Sequence, residues 1–374
     1  MIQTYSSTIR RKEMEAVLTC MVNEQLGAGE MGQKLVQTVK ELTGCDGAVT
    51  VRSPAIALDY VLRALDIPKD GKVMLSALAP AWQIQTVEAL GYSALVLDVR
   101  EEDGLVPPEL VEQGIKDGGR IFVLHEGMGV LPDIQAYLSL NIPIVEDISQ
   151  SAFAFYPEEV KEGDAAAKPK EKKPAEGESQ NPEDSDDEPK GKRAGMYGVY
   201  AIFGMEDRDV VTAGGGAVVM APGRREWSVL KRIAEEAPST DLMPDMNAAL
   251  AYVETKEFKR NEKMRRELYT LYTRAIMSGK HKTFVRAQDY GSTIYSFPLV
   301  LNTGFKDVKA YAQKKGIEVR QAYENSIIAL RQESLASQCM CANSLLLRCA
   351  LFPLYPRLGQ KDASRIVKVL STLP

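Results

Sequence analysis

Short, almost wholly apolar runs alternate with helical patterns along the first part of the chain, and this alternation constrains the fold more than any other feature. Ala48-Val49-Thr50-Val51 is followed by a helical pattern over 55–65, in which Ala57, Val61, Ala64 and Leu65 share a face. Lys72-Val73-Met74-Leu75 and Ala94-Leu95-Val96-Leu97-Asp98 bracket a second helix, over 83–90, which Gly91 closes as a C-cap. Ile121-Phe122-Val123-Leu124 and Ile142-Pro143-Ile144-Val145 bracket a third. A strand that is apolar on both of its faces must be covered on both. The expected fold class is therefore α/β, a mostly parallel sheet between helices, with ligands at the carboxyl ends of the strands.

Beyond 193 two further strands are expected, over 199–203 and 217–220, joined across Gly214-Gly215-Gly216. One long helical stretch follows over 247–277, with Glu257, Lys259, Arg260, Glu262, Lys263, Arg265 and Arg266 on its wet side. The remainder reads as a small α+β unit: a strand region over 293–301, a helix over 306–315 capped by Gly316, and a closing helix after Pro356. The expected division is 1–240 for the large unit and 241–374 for the long helix and small C-terminal unit.

The segment 157–193 is different in kind. It carries five prolines, eight basic and twelve acidic residues and almost no large apolar side chain. It cannot bury enough apolar area to offset its ordering entropy, so it reads as a disordered charged insertion. The run Glu183-Asp184-Ser185-Asp186-Asp187-Glu188 makes it a candidate protein-docking arm or phosphorylation site, against the simpler reading of a tolerated loop. It holds 8 − 12 = −4 of the total charge, 46 − 51 = −5, which leaves the body near neutral. That balance excludes a dedicated nucleic-acid binder. No apolar run is long enough to span a bilayer, and the chain is expected to be cytoplasmic, with no membrane partner. Cys20, Cys45, Cys339, Cys341 and Cys349 lack metal-ligand spacing and read as buried reduced thiols, with no metal site.

Single motifs are weak. Gly214-Gly215-Gly216 lacks the Lys-Ser/Thr of a P-loop and reads as a tight strand connection sooner than a phosphate cradle. Glu146 and Asp147 end a buried strand where a ligand site would lie, although Asp147 also suits an N-cap ahead of Ser149 and Gln150. His125 ends another strand, where a structural role is more usual than a catalytic one.

The order of these features resembles the DegT/StrS family of sugar aminotransferases, pyridoxal-phosphate enzymes of fold type I. Ala28-Gly29-Glu30, Val123-Leu124-His125 and Pro143-Ile144-Val145-Glu146-Asp147-Ile148-Ser149-Gln150-Ser151 are similar to that family's opening loop, VH strand end and IEDAAQA segment. Ala248-Ala249-Leu250 with Arg265-Arg266 resembles its AALG and RR helix, Lys315-Gly316-Ile317-Glu318-Val319-Arg320 its KxGIExR run, and Phe352-Pro353-Leu354-Tyr355-Pro356 its LPLYP closing signature. The resemblance covers nearly the whole chain apart from the insertion and implies a homodimer with a site built from both subunits.

The family's aldimine-forming lysine has no counterpart here. Counting forward from Phe203 puts Asp209 at its position, and counting back from the glycines puts Arg208 there. Family dehydratases use a histidine instead, but the only two histidines, His125 and His281, lie far from Arg208 in sequence. The family's phosphate-binding S-G-T becomes Ser53-Pro54-Ala55, in which proline replaces an amide donor. The serine after the segment's phenylalanine becomes Gly204, and the family's cross-subunit asparagine and arginine fall near Thr240 and Leu242. Asp147, which in the family pairs with the pyridinium nitrogen, and Gln150, which approaches the ring hydroxyl, are retained. Trp82 lies where the family often stacks an aromatic on the ring, or is a core tryptophan.

The expected pocket residues are thus Ser53, Trp82, His125, Asp147, Gln150, Gly204, Arg208 and Asp209, with pyridoxal phosphate bound weakly or not at all. Three functions follow as expectations: a non-transaminating scaffold, regulatory or binding protein; a working sugar-nucleotide aminotransferase of polysaccharide or cell-envelope sugar biosynthesis; or an altered, cofactor-independent enzyme using Glu206, Asp207 or Asp209 as acid or base.

Overall fold

The computed structural model describes residues 1–68, 70–157, 191–277, 279–286 and 291–374. Its centre is a seven-stranded sheet of β1 (Gly47–Val51), β2 (Lys72–Ser76), β3 (Ser93–Leu97), β4 (Gly119–His125), β5 (Ile144–Asp147), β8 (Tyr200–Gly204) and β9 (Ala217–Ala221), in the order β1-β9-β8-β5-β4-β2-β3. Between β5 and β8, β6 (Phe155–Pro157) and β7 (Gly191–Arg193) form a separate two-stranded ladder. All sheet neighbours are parallel except those of β9, which runs antiparallel to both β1 and β8. A right-handed crossover requires a helix between parallel strands, and the chain supplies α3 (Pro54–Leu65), α4 (Ala81–Ala89), α5 (Pro108–Lys116) and the short α6 (Ile134–Leu138), after the opening helices α1 (Arg11–Val22) and α2 (Glu30–Thr43).

Alternate residues of each strand feed two cores. Val73, Leu75, Ile121, Val123, Ile202 and Val219 pack beneath α3 and α4, while Met74, Phe122, Leu124, Phe203, Val218 and Met220 join the opposite core. α3 shows why the local sequence is helical: Ser53 caps it, its side chain accepting from Ile56 N at 3.3 Å, and Pro54 occupies the first turn. Its Ala57, Leu58, Val61 and Leu62 are wholly buried, and each of the larger ones contributes about 1.5–3 kcal/mol by leaving water.

Several expectations change here. After α7 (Arg224–Glu236), the stretch 247–277 is two helices, α8 (Asp245–Lys256) and α9 (Phe258–Ile276), because Glu257 between them departs from helical dihedrals, with φ −87° and ψ 4°. α8 packs on α1 and α2, with Ala248 and Ala251 in the large core, whereas Leu268, Tyr272 and Ile276 of α9 join the core of the C-terminal part. That second core surrounds a sheet of β10 (Phe297–Val300), β12 (Cys349–Phe352) and β11 (Arg320–Gln321). It also takes in Ile2, which bridges to Ile317, so the first residues belong physically to the last third of the chain. The insertion's disorder falls outside the described residues except at its edges, and there the expectation is corrected: Pro157 and 191–193 lie in the β6–β7 ladder. The five cysteines are free thiols; Cys341 is half-buried and the others are buried. Among the described residues no helix is long and apolar enough to cross a membrane.

Candidate active-site cleft

The chain leaves β2 toward the edge strand β3 and returns on the other side as β4, so the sheet reverses its winding between β2 and β4. A cleft of about 350 Å³ opens over the carboxyl ends of these strands, as expected for a doubly wound sheet. Leu78 and Pro80 reach it after β2, His125 at the end of β4, Ser149 and Gln150 after β5, and Arg208 and Asp209 after β8. Tyr5 enters from the N-terminal strap, Tyr295 from the approach to β10, and Tyr323, Glu324 and Asn325 from the loop after β11.

Of the residues expected in the pocket, Trp82, His125, Gln150, Arg208 and Asp209 line the cleft, whereas Ser53, Asp147 and Gly204 lie outside its lining. Ser53 is occupied as the α3 cap, and its neighbour Pro54 faces the cleft instead. Asp147 lies beneath the floor with no exposure, and both of its oxygens are taken by protein. Oδ2 accepts from Gln83 Nε2 at 2.7 Å and from His125 Nδ1 at 2.9 Å; Oδ1 accepts from Ser149 Oγ at 2.6 Å and Ser149 N at 3.2 Å. Burial pushes this carboxyl up, but the hydrogen bond and charge interaction with His125, together with the Ser149 bonds, outweigh burial and hold it below its ordinary value. The aspartate makes an Asx turn with Ser149, and no helix follows for it to cap. Gln150 spends its carbonyl on Met128 N at 2.7 Å, holding Met128 in the left-handed region at φ 56°.

The two candidates for the lysine position behave differently. Arg208 faces the mouth, with Nη1 3.1 Å from Glu324 and its guanidinium 4.8 Å from the Tyr5 ring centroid. Asp209 turns inward, and its Oδ2 accepts from Glu206 N at 2.8 Å. The residue as a whole is half-buried, but its carboxyl is enclosed; burial, with Asp147, Glu206 and Asp207 nearby, pushes it up to about 8 against the Glu206 amide. Gly204 fits tightly: a Cβ there would come within 2.6 Å of Ser149 Oγ and 2.9 Å of Asp209 Oδ2. Among the described residues, none of those lining the cleft is a lysine.

Glu146, expected beside Asp147 at the site, instead points to the other side of the sheet, because successive strand residues alternate. It accepts from Gly195 N and Tyr197 N, both at 2.8 Å, and from Gly198 N, anchoring the chain as it leaves β7. Glu126 beside it is bonded by Ser151 Oγ and by Tyr156 OH of β6. Burial and the Glu146 charge hold Glu126 well above the carboxylate range. The triple glycine is a strand connection: all three residues have positive φ, and Asn247 Nδ2 binds the carbonyls of Ala213 and Gly215.

Sequence reasoning overlooked Gln83, Tyr5, Tyr295 and Glu324. Gln83 lies 64 positions from Asp147, and a glutamine in the first turn of an amphipathic helix carries no mark of such a contact.

A mostly parallel sheet covered on both faces, with a small C-terminal unit and a cleft over the strand ends, defines the fold type I class of pyridoxal-phosphate proteins. The chain belongs to the DegT/DnrJ/EryC1/StrS aminotransferase family, whose model matches residues 7–371. Among solved structures it is similar to a Streptococcus pneumoniae protein in its PLP-form (13% identity, TM-score 0.81, 97% of this chain and 96% of that one). It is likewise similar to the sugar aminotransferase CalS13 of Micromonospora echinospora (14%, 0.79, 99% and 99%) and to S. venezuelae DesV in complex with a ketimine intermediate (18%, 0.79, 96% and 93%). At these identities the likeness concerns the fold.

Proposed function

We propose that this protein is a non-transaminating member of its family, a binding, regulatory or scaffold protein of the cytoplasm that keeps the family's homodimer and has lost tight pyridoxal-phosphate binding. The observation that carries this reading is the saturation of Asp147. With Gln83 and His125 on one oxygen and Ser149 twice on the other, it has no lone pair directed at a ring nitrogen from the cleft. The residues present do not fit the cofactor in other respects. Pro54 supplies no amide to a phosphate, and Gly204 has no room for the family's serine. Among the described residues no lysine lines the cleft to anchor the ring. Each hydrogen bond to a charged group that is lost contributes about 1.5–3 kcal/mol, so three losses remove several powers of ten in affinity. The charged segment 157–193 is the natural protein-docking element in this reading, since it holds nearly all the net charge.

Titration of the purified protein with pyridoxal phosphate tests the proposal. We expect the spectrum of free cofactor throughout; a protein-bound aldimine band would sink it. A second reading rests on Asp209: a carboxyl held neutral near pH 7 within the same cleft as His125 is suited to give a proton to a sugar-nucleotide ligand without a cofactor. A rise in melting temperature with such a ligand, abolished by Asp209→Asn, would favour it.

A further inference from the structure

The cleft holds an acceptor that the fold leaves unsatisfied. The side chain of His125 is only 4% exposed, and Asp147 holds its Nδ1 from beneath the floor at 2.9 Å. A carboxylate only accepts, so Nδ1 carries the hydrogen, and in the neutral ring Nε2 is then a lone-pair acceptor. The two ring nitrogens diverge widely. With Asp147 below the floor, Nε2 therefore faces the cleft that His125 lines, and it has no hydrogen-bond partner among the described residues. A buried acceptor without a donor is costly, so the floor calls for a ligand that donates.

The charges around the cleft select the sign of that ligand. At the mouth they cancel: Arg208 and Arg320 meet Glu324 at 3.1 and 2.8 Å, and Asp207 lies 3.7 Å from Arg208. Glu206 and Asp209 line the same cleft and have no ion-pair partner among the described residues. Asp209 keeps its proton near neutrality, yet Glu206 alone leaves the cleft negative, so the sign does not hang on Asp209. Burial pushes the half-buried Glu206 carboxyl up, as expected of a negative charge that lacks a compensating cation. An anionic ligand would find no free cation among the residues described here, whereas a cation would find both a charge and an acceptor.

We propose that the cleft binds an organic cation, a primary ammonium group on a carbon frame, which donates to His125 Nε2 and lies in the field of Glu206. The rings of Tyr5, Trp82 and Tyr295 line the walls, and their faces suit both the frame and the charge. The chain already seats one cation of its own in this way: the Arg208 guanidinium lies 4.8 Å from the Tyr5 ring centroid while it pairs with Glu324. The volume of about 350 Å³ is that of a small-molecule site. This inference rests on the reading of the protein as one without tight pyridoxal phosphate, since the cofactor would fill the same space.

The test is a thermal-shift and calorimetric titration of the full-length protein with butylammonium and benzylammonium chloride, in an amine-free buffer at constant ionic strength, with sodium and tetramethylammonium chloride as controls. We expect a saturable rise in Tm with at least one of the primary ammonium salts and none with sodium. Tetramethylammonium has the charge but no N–H donor, and should bind at least about tenfold more weakly. His125→Asn keeps an amide donor where Nδ1 sits, so the bond to Asp147 survives, and deletes Nε2; it should weaken the primary ammonium by about tenfold or more. Glu206→Gln removes the unpaired charge and should weaken it severalfold. If His125→Asn does not fold, Glu206→Gln and the tetramethylammonium comparison decide. No saturable shift with either primary ammonium, equal affinity for tetramethylammonium, or unchanged affinity in Glu206→Gln overturns the proposal. A parallel titration with pyridoxal phosphate tells two failures apart: an aldimine band overturns the non-transaminating reading, whereas no band together with no ammonium binding overturns this inference alone.

Discussion

Replacing Asp209 by asparagine should stabilise the protein at neutral pH and leave it unchanged in acid. The folded carboxyl titrates near 8 and the unfolded one near 3.8. Between those values the unfolded chain has released a proton that the folded protein keeps, so folding stability falls as pH rises through this window. The slope approaches 1.4 kcal/mol per pH unit. By pH 7 the full shift corresponds to roughly 4 kcal/mol; partial exposure of the residue lets water screen some of this, and we expect about 2–4 kcal/mol. Asparagine keeps the shape and can still accept from Glu206 N, but has no proton to lose, so its stability does not carry this slope. Urea unfolding of both proteins from about pH 4.5 to about pH 8 reads the difference, in which the titrations of Glu126 and Glu146 cancel. A gap that is constant with pH, or that favours aspartate at pH 8, would mean that the carboxyl is ionised in the folded protein, and the reasoning would fail.

Glu146→Ala strands the amides of Gly195, Tyr197 and Gly198, which should cost about 3–5 kcal/mol, measured as a lower urea midpoint with unchanged m. Gly204→Ser restores the residue that the family carries at this point, yet its Cβ meets Ser149 and Asp209; a loss of about 1–3 kcal/mol in chemical unfolding is expected. Gln83→Ala removes a charge-assisted bond and should cost about 1.5–3 kcal/mol. Because it frees an Asp147 oxygen, it should also tighten whatever weak pyridoxal-phosphate binding remains, seen as quenching of tryptophan fluorescence at lower cofactor concentration. Unchanged binding would show that the Asp147 lock is not what limits the site.

The sheet was legible because its strands are apolar on both faces, a pattern that local sequence displays directly; β1, β2, β3 and β4 fall where the runs place them. α5 was not read, since Pro107-Pro108 at its start looks like a break, although proline is at home in a first helical turn. The division between α8 and α9 was hidden for the opposite reason: Glu257 is a good helix former, and only the need of α8 to pack on α1 and α2 while α9 joins the other core bends the chain there. In the cleft, His125 could be found by its strand-end position, and Gln150 by the likeness of its segment to the family's IEDAAQA run. The capture of Asp147 could not, because it depends on the distance between α4 and β5, which no single segment encodes.

The β6–β7 ladder pairs Pro157 with Gly191 directly, so the chain departs and returns at one point on the surface. Loop-closure entropy grows only as the logarithm of length, and with the stem already paired by Tyr156 and Lys192 the body is nearly indifferent to how many residues are carried beyond it. The stem is a splice point: what lies past it can lengthen, shorten or change its charge from one descendant to the next without asking the sheet to refold. Change in sequence at this position can therefore proceed uncoupled from change in the sheet that bears the stem.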